Sequence, residues 1–191
     1  MSMVPVLRAL MSQVNRIARP GDAARFWLAQ IFLIASTIIG VYLAAQVGFE
    51  KALEFDALRE QRTAYFMLGA LRSEVSDNLE KIDSLLEKFA GRIDLRLLER
   101  ETEMQTFVWR SMQESTETFQ IPDRIITGVR RYYAAVTRQT AEMRMQRINN
   151  RVFIKRLRAA GEALRREVLP AIDAERARLR AYLLPRGVSL D

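Results

Sequence analysis

The side chains that could do chemistry in this sequence are carboxylates, hydroxyls, amides, amines and guanidines, because it contains neither histidine nor cysteine. That removes the ordinary zinc site, the Ser-His and Cys-His nucleophile pairs, the HExxH helix and any disulfide. The eight glycines are scattered, so no phosphate-cradling loop or dinucleotide fingerprint forms. Carboxylate chemistry stays open, but no pair of acids is singled out by spacing. The expectation is a non-enzymatic protein without metal, cofactor or small-molecule substrate.

One amide stands out. In "LRSEVSDNLEKIDSLLEKF", residues 71–89, Leu71, Val75, Ile82, Leu85 and Phe89 recur at helical steps of three and four, and the missing step falls on Asn78. An amide inside a seam costs roughly 1–3 kcal/mol unless it is hydrogen-bonded. Its candidate partners are the Trp109 indole N–H, Ser115, and the hydroxyl of Tyr132 or Tyr133, each on a neighbouring helix. Such a group either fixes helix register or binds a ligand, and register is the commoner use. A small rotation that seats Leu79 and Leu86 inward would instead leave Asn78 at the rim.

The helices that must position these residues follow from length and pattern. The 191 residues have room for one helical domain and an anchor. Residues 26–47, "FWLAQIFLIASTIIGVYLAAQV", carry no charge. As a helix this stretch is about 33 Å long, enough for a hydrocarbon core of roughly 30 Å. Phe26, Trp27 and Tyr42 suit an aromatic belt, and Asp22 is a plausible N-cap. A cleaved signal peptide would be shorter and would end in a small-residue site that "YLAAQV" lacks. A buried core helix would be shorter and more interrupted.

Ser36, Gly40, Ala44 and Gly48 recur every four residues along this span, a small-residue face on which a second membrane helix could pack. Basic residues near the two ends of the span tie in number. Arg19 and Arg25 lie closest, and a short Arg-rich tail is hard to translocate. The expectation is a bacterial inner-membrane protein with a cytoplasmic N-terminus and a periplasmic domain. Ahead of the span, Leu7, Leu10, Met11, Val14 and Ile17 share a helical face, so residues 1–21 read as a short amphipathic segment or a frayed tail.

The expected organisation is residues 1–21 amphipathic, 22–47 transmembrane, 48–186 bundle and 187–191 tail. No proline appears between Gly48 and Pro122 and no strand-like alternation emerges, so the fold class is all-α. An antiparallel bundle of about four long helices follows. The first helix runs to Phe89 and stops at Gly91, and the second spans about 93–119 with Leu97, Leu98, Met104, Phe107, Val108 and Met112 inward. The third carries Ile125, Ile126, Val129, Tyr132, Tyr133 and Val136 and continues toward Val152. The fourth runs from about 154 to 184 with a bend at Pro170, and "RINNRVF" leaves open whether the last two are one helix.

Residues 144–186 hold twelve Lys or Arg against four acids, and residues 48–143 hold fourteen against seventeen. The basic stretch reads first as a solvated or ion-paired face of the bundle. A second reading sends "RARLRAYLLPR" to the membrane surface or a partner, with Arg176, Arg178, Arg180 and Arg186 on anionic headgroups and Tyr182, Leu183 and Leu184 at the interface. Nucleic acid is the poorest fit, because stacking aromatics are scarce among the arginines.

Leu71, Glu74, Val75 and Asn78, then Trp109 with Ser111 and Ser115, then Tyr132 or Tyr133 in "IPDRIITGVRRYYAAV", form a loose pattern. It resembles one in uncharacterised bacterial single-pass membrane proteins with a helical extramembrane domain, written L-x-x-E-[IV]-x-x-N. The resemblance covers about residues 68–140 and implies an anchored bundle but no activity. The function expected is an interaction or accessory subunit of a membrane complex. Its partners would be lipid and another membrane protein or a second copy. A sensory module signalling through a partner is the alternative.

Overall fold

A computed structural model describes residues 20–89 and 95–190, and the side chains of 24–89, 95, 96 and 98–190. Among the described residues there is no strand. Six α-helices follow one another among these residues: α1 Pro20–Lys88, α2 Leu95–Thr102, α3 Phe107–Glu114, α4 Asp123–Arg144, α5 Asn150–Ala163 and α6 Leu169–Leu183. Residues 1–19, which hold the expected amphipathic segment, and Gly91, the expected helix stop, lie outside the described residues.

The chain divides into two compact units at Glu54 and Phe55, seven residues beyond the expected end of the span. The first contains the start of α1, which is long and apolar enough to cross a membrane by length and composition. Large apolar side chains from Phe26 to Phe55 are exposed, and none of the described ones in this unit is buried. Thr37 Oγ1 donates to the Leu33 carbonyl at 2.8 Å, so this hydroxyl is satisfied within its own helix. Asp22 lies inside α1 rather than capping it, because the helix already includes Pro20. Proline is tolerated there because a first-turn N–H has no intrahelical acceptor.

The second unit is a packed bundle. From Ala64 onward α1 buries Leu68, Leu71, Val75, Leu79, Ile82, Leu85 and Leu86, a stripe wide enough to include both seam and rim positions. Helix α4 answers with Ile125, Val129, Tyr132, Tyr133 and Val136, and α5–α6 with Phe153, Leu157, Ile172, Leu179 and Leu183. Partners on α1 and on the C-terminal segment run in opposite chain directions: Arg62 with Ser189, Arg72 with Asp173, Asp83 with Arg165. The charge map is mixed, since Arg72–Asp173 reverses the expected polarity.

The second long helix is not there. Its span is broken into α2, an irregular segment 103–106, α3, and a 3₁₀ turn at Thr116–Gln120. Phe107, expected inward, is 83% exposed because α3 restarts at that residue. The third and fourth helices are separate. Helix α4 ends at Arg144, Gln146 takes a left-handed φ of 54°, and Asn149 caps α5 by accepting from the Val152 N–H at 2.9 Å. Asn150 Nδ2 donates to the Phe89 carbonyl at 3.1 Å and so closes the end of α1.

The expected bend at Pro170 takes the form of a π-helical segment, Leu164–Val168, between α5 and α6. Proline lacks the N–H that the Arg166 carbonyl would take and crowds that carbonyl, so the helix widens ahead of it. Gly128 of α4 faces this segment, and a Cβ there would lie 2.4 Å from Val168 Cγ2. Residues after α6 fold back: Gly187 is left-handed at φ 76°, Val188 and Leu190 pack on the core, and Ser189 accepts from Arg62.

Candidate functional site

Glu74 and Asn78 sit one turn apart on α1, so their side chains share its inner face. Both are buried, at 6% and 1% exposure. Together they grip the chain between α2 and α3. Asn78 Nδ2 donates to the Gln105 carbonyl at 2.6 Å, and its Oδ1 accepts the Gln105 N–H at 2.9 Å. A single side-chain amide thus satisfies both backbone groups of one residue, as a neighbouring strand would.

Glu74 takes the next turn. Its Oε2 accepts the Val108 N–H at 2.6 Å, and its Oε1 accepts the Trp109 N–H at 3.1 Å. These are early N–H groups of α3, which its own N-cap Thr106 leaves without a side-chain acceptor. An acid from another helix therefore caps α3, adding a charge that complements the helix dipole. A continuous helix through 103–109 would have used those N–H groups internally. The break in the expected second helix and the buried acid explain each other.

Tyr133 of α4 joins the two. Its hydroxyl donates to Glu74 Oε1 at 3.0 Å and accepts from Asn78 Nδ2 at 3.2 Å. Its ring meets the Trp109 ring edge-on, with centroids 5.9 Å apart. Burial first, then the Glu74 charge, pushes the Tyr133 phenol well above its usual range, so it stays a donor. Three donors converge on Glu74, which suits an ionised, acceptor-only carboxylate. Outside the clasp, Lys81 Nζ donates to the Glu103 carbonyl at 2.5 Å and extends the hold on the same segment.

The structure brings Asn78 and Tyr133 into direct contact and places Trp109 beside them through its ring and backbone. The Trp109 indole is not among the hydrogen-bond partners of Asn78. Ser115 is elsewhere: its hydroxyl donates to Glu117, two residues on, because the chain has left α3 by that point. Tyr132 is buried beside Tyr133, but its hydroxyl has no hydrogen-bond partner among the described residues. Burial alone raises its phenol above the usual range.

The basic residues of α6 and of the turn after it mostly serve their own bundle. Arg176 lies over the Tyr65 ring, 4.7 Å from its centroid, and against Gly69, where the missing side chain leaves room for the guanidinium. Arg178 pairs with the buried Glu175, and Arg186 covers the Tyr182 ring at 3.8 Å. Leu183, expected at an interface, is fully buried, whereas Tyr182 and Leu184 are exposed, as is Arg180. In the first unit Ser36, Gly40, Ala44 and Gly48 are exposed, and a Cβ on Gly40 or Gly48 would meet nothing within 4 Å.

Sequence reasoning missed the role of Glu74, although its type and its spacing of four from Asn78 were a readable signal. It could not name Gln105, which contributes only backbone atoms. Among the described residues no group of three or more acids could hold a metal ion. No family model, curated protein or solved structure matches the chain.

Proposed function

We propose that the protein is a membrane-anchored helical subunit, held by a single span and acting through contacts rather than catalysis. One observation carries this reading. The apolar stretch of α1 from Phe26 to Val47 buries no side chain, while the second unit closes a core of its own. That much exposed apolar surface has to be covered by lipid, by another span, or by both. The stripe Ser36, Gly40, Ala44 and Gly48 would let a partner backbone approach closely. In this reading the N-terminus is cytoplasmic and the bundle periplasmic, in the inner membrane of a bacterium.

The experiment is extraction in mild detergent followed by crosslinking and mass analysis of the full chain. Recovery with a second span is the expected result, and Gly40→Ile should reduce that association about tenfold. Recovery of a lone monomer, or association indifferent to Gly40→Ile, would remove the subunit reading. Release from the membrane by alkaline carbonate would remove the anchor as well.

A further inference from the structure

The clasp has an outer side. The segment that Glu74, Asn78 and Lys81 hold by its backbone is also one wall of an open cleft of about 740 Å³, whose other walls come from α2, α3 and α4. That volume lies within the range of small-ligand sites. Buried polar groups that immobilise an irregular segment make a wall that needs no ordering when something binds.

Charge gives the cleft its selectivity. Four guanidinium groups line it, from Arg96 and Arg100 on α2, Arg110 on α3 and Arg144 on α4, against the carboxylates of Glu99 and Glu103. Arg110 makes no ion pair among the described residues, whereas Arg144 is held by Glu99 at 2.7 Å in an exposed pair. An exposed pair of this kind contributes about 1 kcal/mol or less, so a better anion can displace Glu99. Met104 and Ala141 supply an apolar strip in the lining, which contains no aromatic ring.

We propose that this cleft binds a small organic anion, a carboxylate or phosphate carried on an apolar frame. Arg110 and Arg144 would take the charge, with Glu99 as the competitor that must leave. The inference is independent of the membrane anchor and of the subunit reading. If it holds, the protein senses or carries a small acid with its bundle.

The test is calorimetric titration of the full-length chain in a zwitterionic detergent at low salt, with citrate, inorganic phosphate and phenyl phosphate as probes. One saturable site is expected for citrate or phenyl phosphate. Phenyl phosphate should bind about fivefold tighter than inorganic phosphate if the apolar strip is used. A citrate-only response would assign the site to carboxylates. Arg110→Ala and Arg144→Ala should each weaken binding about tenfold, with circular dichroism unchanged because both side chains are exposed. Glu99→Gln should tighten binding, whereas Glu87→Gln, the same charge change on exposed α1 surface, should not. No saturable binding of any probe up to about 10 mM would overturn the proposal. So would indifference to Arg110→Ala and Arg144→Ala, or equal effects of the two glutamate variants.

Discussion

From Phe26 to Val47, α1 carries apolar side chains on every side and buries none of them. From Ala64 to Leu86 the same helix buries a stripe that includes a carboxylate and an amide. The difference teaches what a polar side chain needs in order to be inside. In the first region a polar group has only its own helix to turn to, as Thr37 does with Leu33. In the second, other segments supply backbone and hydroxyl partners, and Glu74 and Asn78 are fully used. The buried polar pair is stable because another part of the chain gave up regular helix to meet it.

The sharpest way to break this contrast is Glu74→Ala. It leaves two backbone N–H groups and the Tyr133 hydroxyl without their acceptor, at a stability loss of about 3 kcal/mol or more. Urea unfolding of the full chain in detergent measures it, and a loss under about 1 kcal/mol would mean that water replaces the acid. Asn78→Leu comes next. It frees both backbone groups of Gln105 but adds apolar volume, so a loss of about 2 kcal/mol is expected, with the bundle still folded. Broadened amide resonances around 103–109 should accompany it, and a spectrum unchanged there would show that the amide does not fix the segment.

Tyr133→Phe removes one hydroxyl that both residues use, and should cost about 1 kcal/mol. A loss as large as that of Glu74→Ala would mean the hydroxyl, rather than the α3 backbone, is what the acid serves. The smallest effect is alkaline. Folding raises the phenols of Tyr132 and Tyr133 above their ordinary value of 10.0. Below that value the contribution is fully present, and it is lost as pH rises toward the folded values, because only the unfolded chain ionises there. The urea midpoint should fall above about pH 10, and less steeply in Tyr133→Phe than in the parent.

Much of the second unit was legible in the sequence. Ile125, Val129 and Val136 are buried as their spacing requires, since a helical stripe needs only local periodicity and an apolar partner. The second helix was misread for the same reason. Met104, Val108 and Met112 recur at steps of four and so fit one period, but Glu74 and Asn78 break that period from another helix. Ser115 was misplaced because its helix ends one residue earlier. The arginines of α6 and of the turn after it were legible as a basic face, though not as neighbours of Tyr65, Glu175 and Tyr182.

By itself, the sequence determined the all-helical class, the long apolar stretch near the N-terminus, the buried stripes, and the absence of imidazole and thiol chemistry. Each is a matter of composition or of contacts a few residues apart. Only the tertiary structure decided which groups answer Asn78, that Glu74 caps a helix 34 residues away, and that four arginines from three helices face one cleft. Those depend on backbone groups that carry no residue identity and on where a helix stops. The amide that looked misplaced in its seam is half of a clasp whose other half was written four residues earlier.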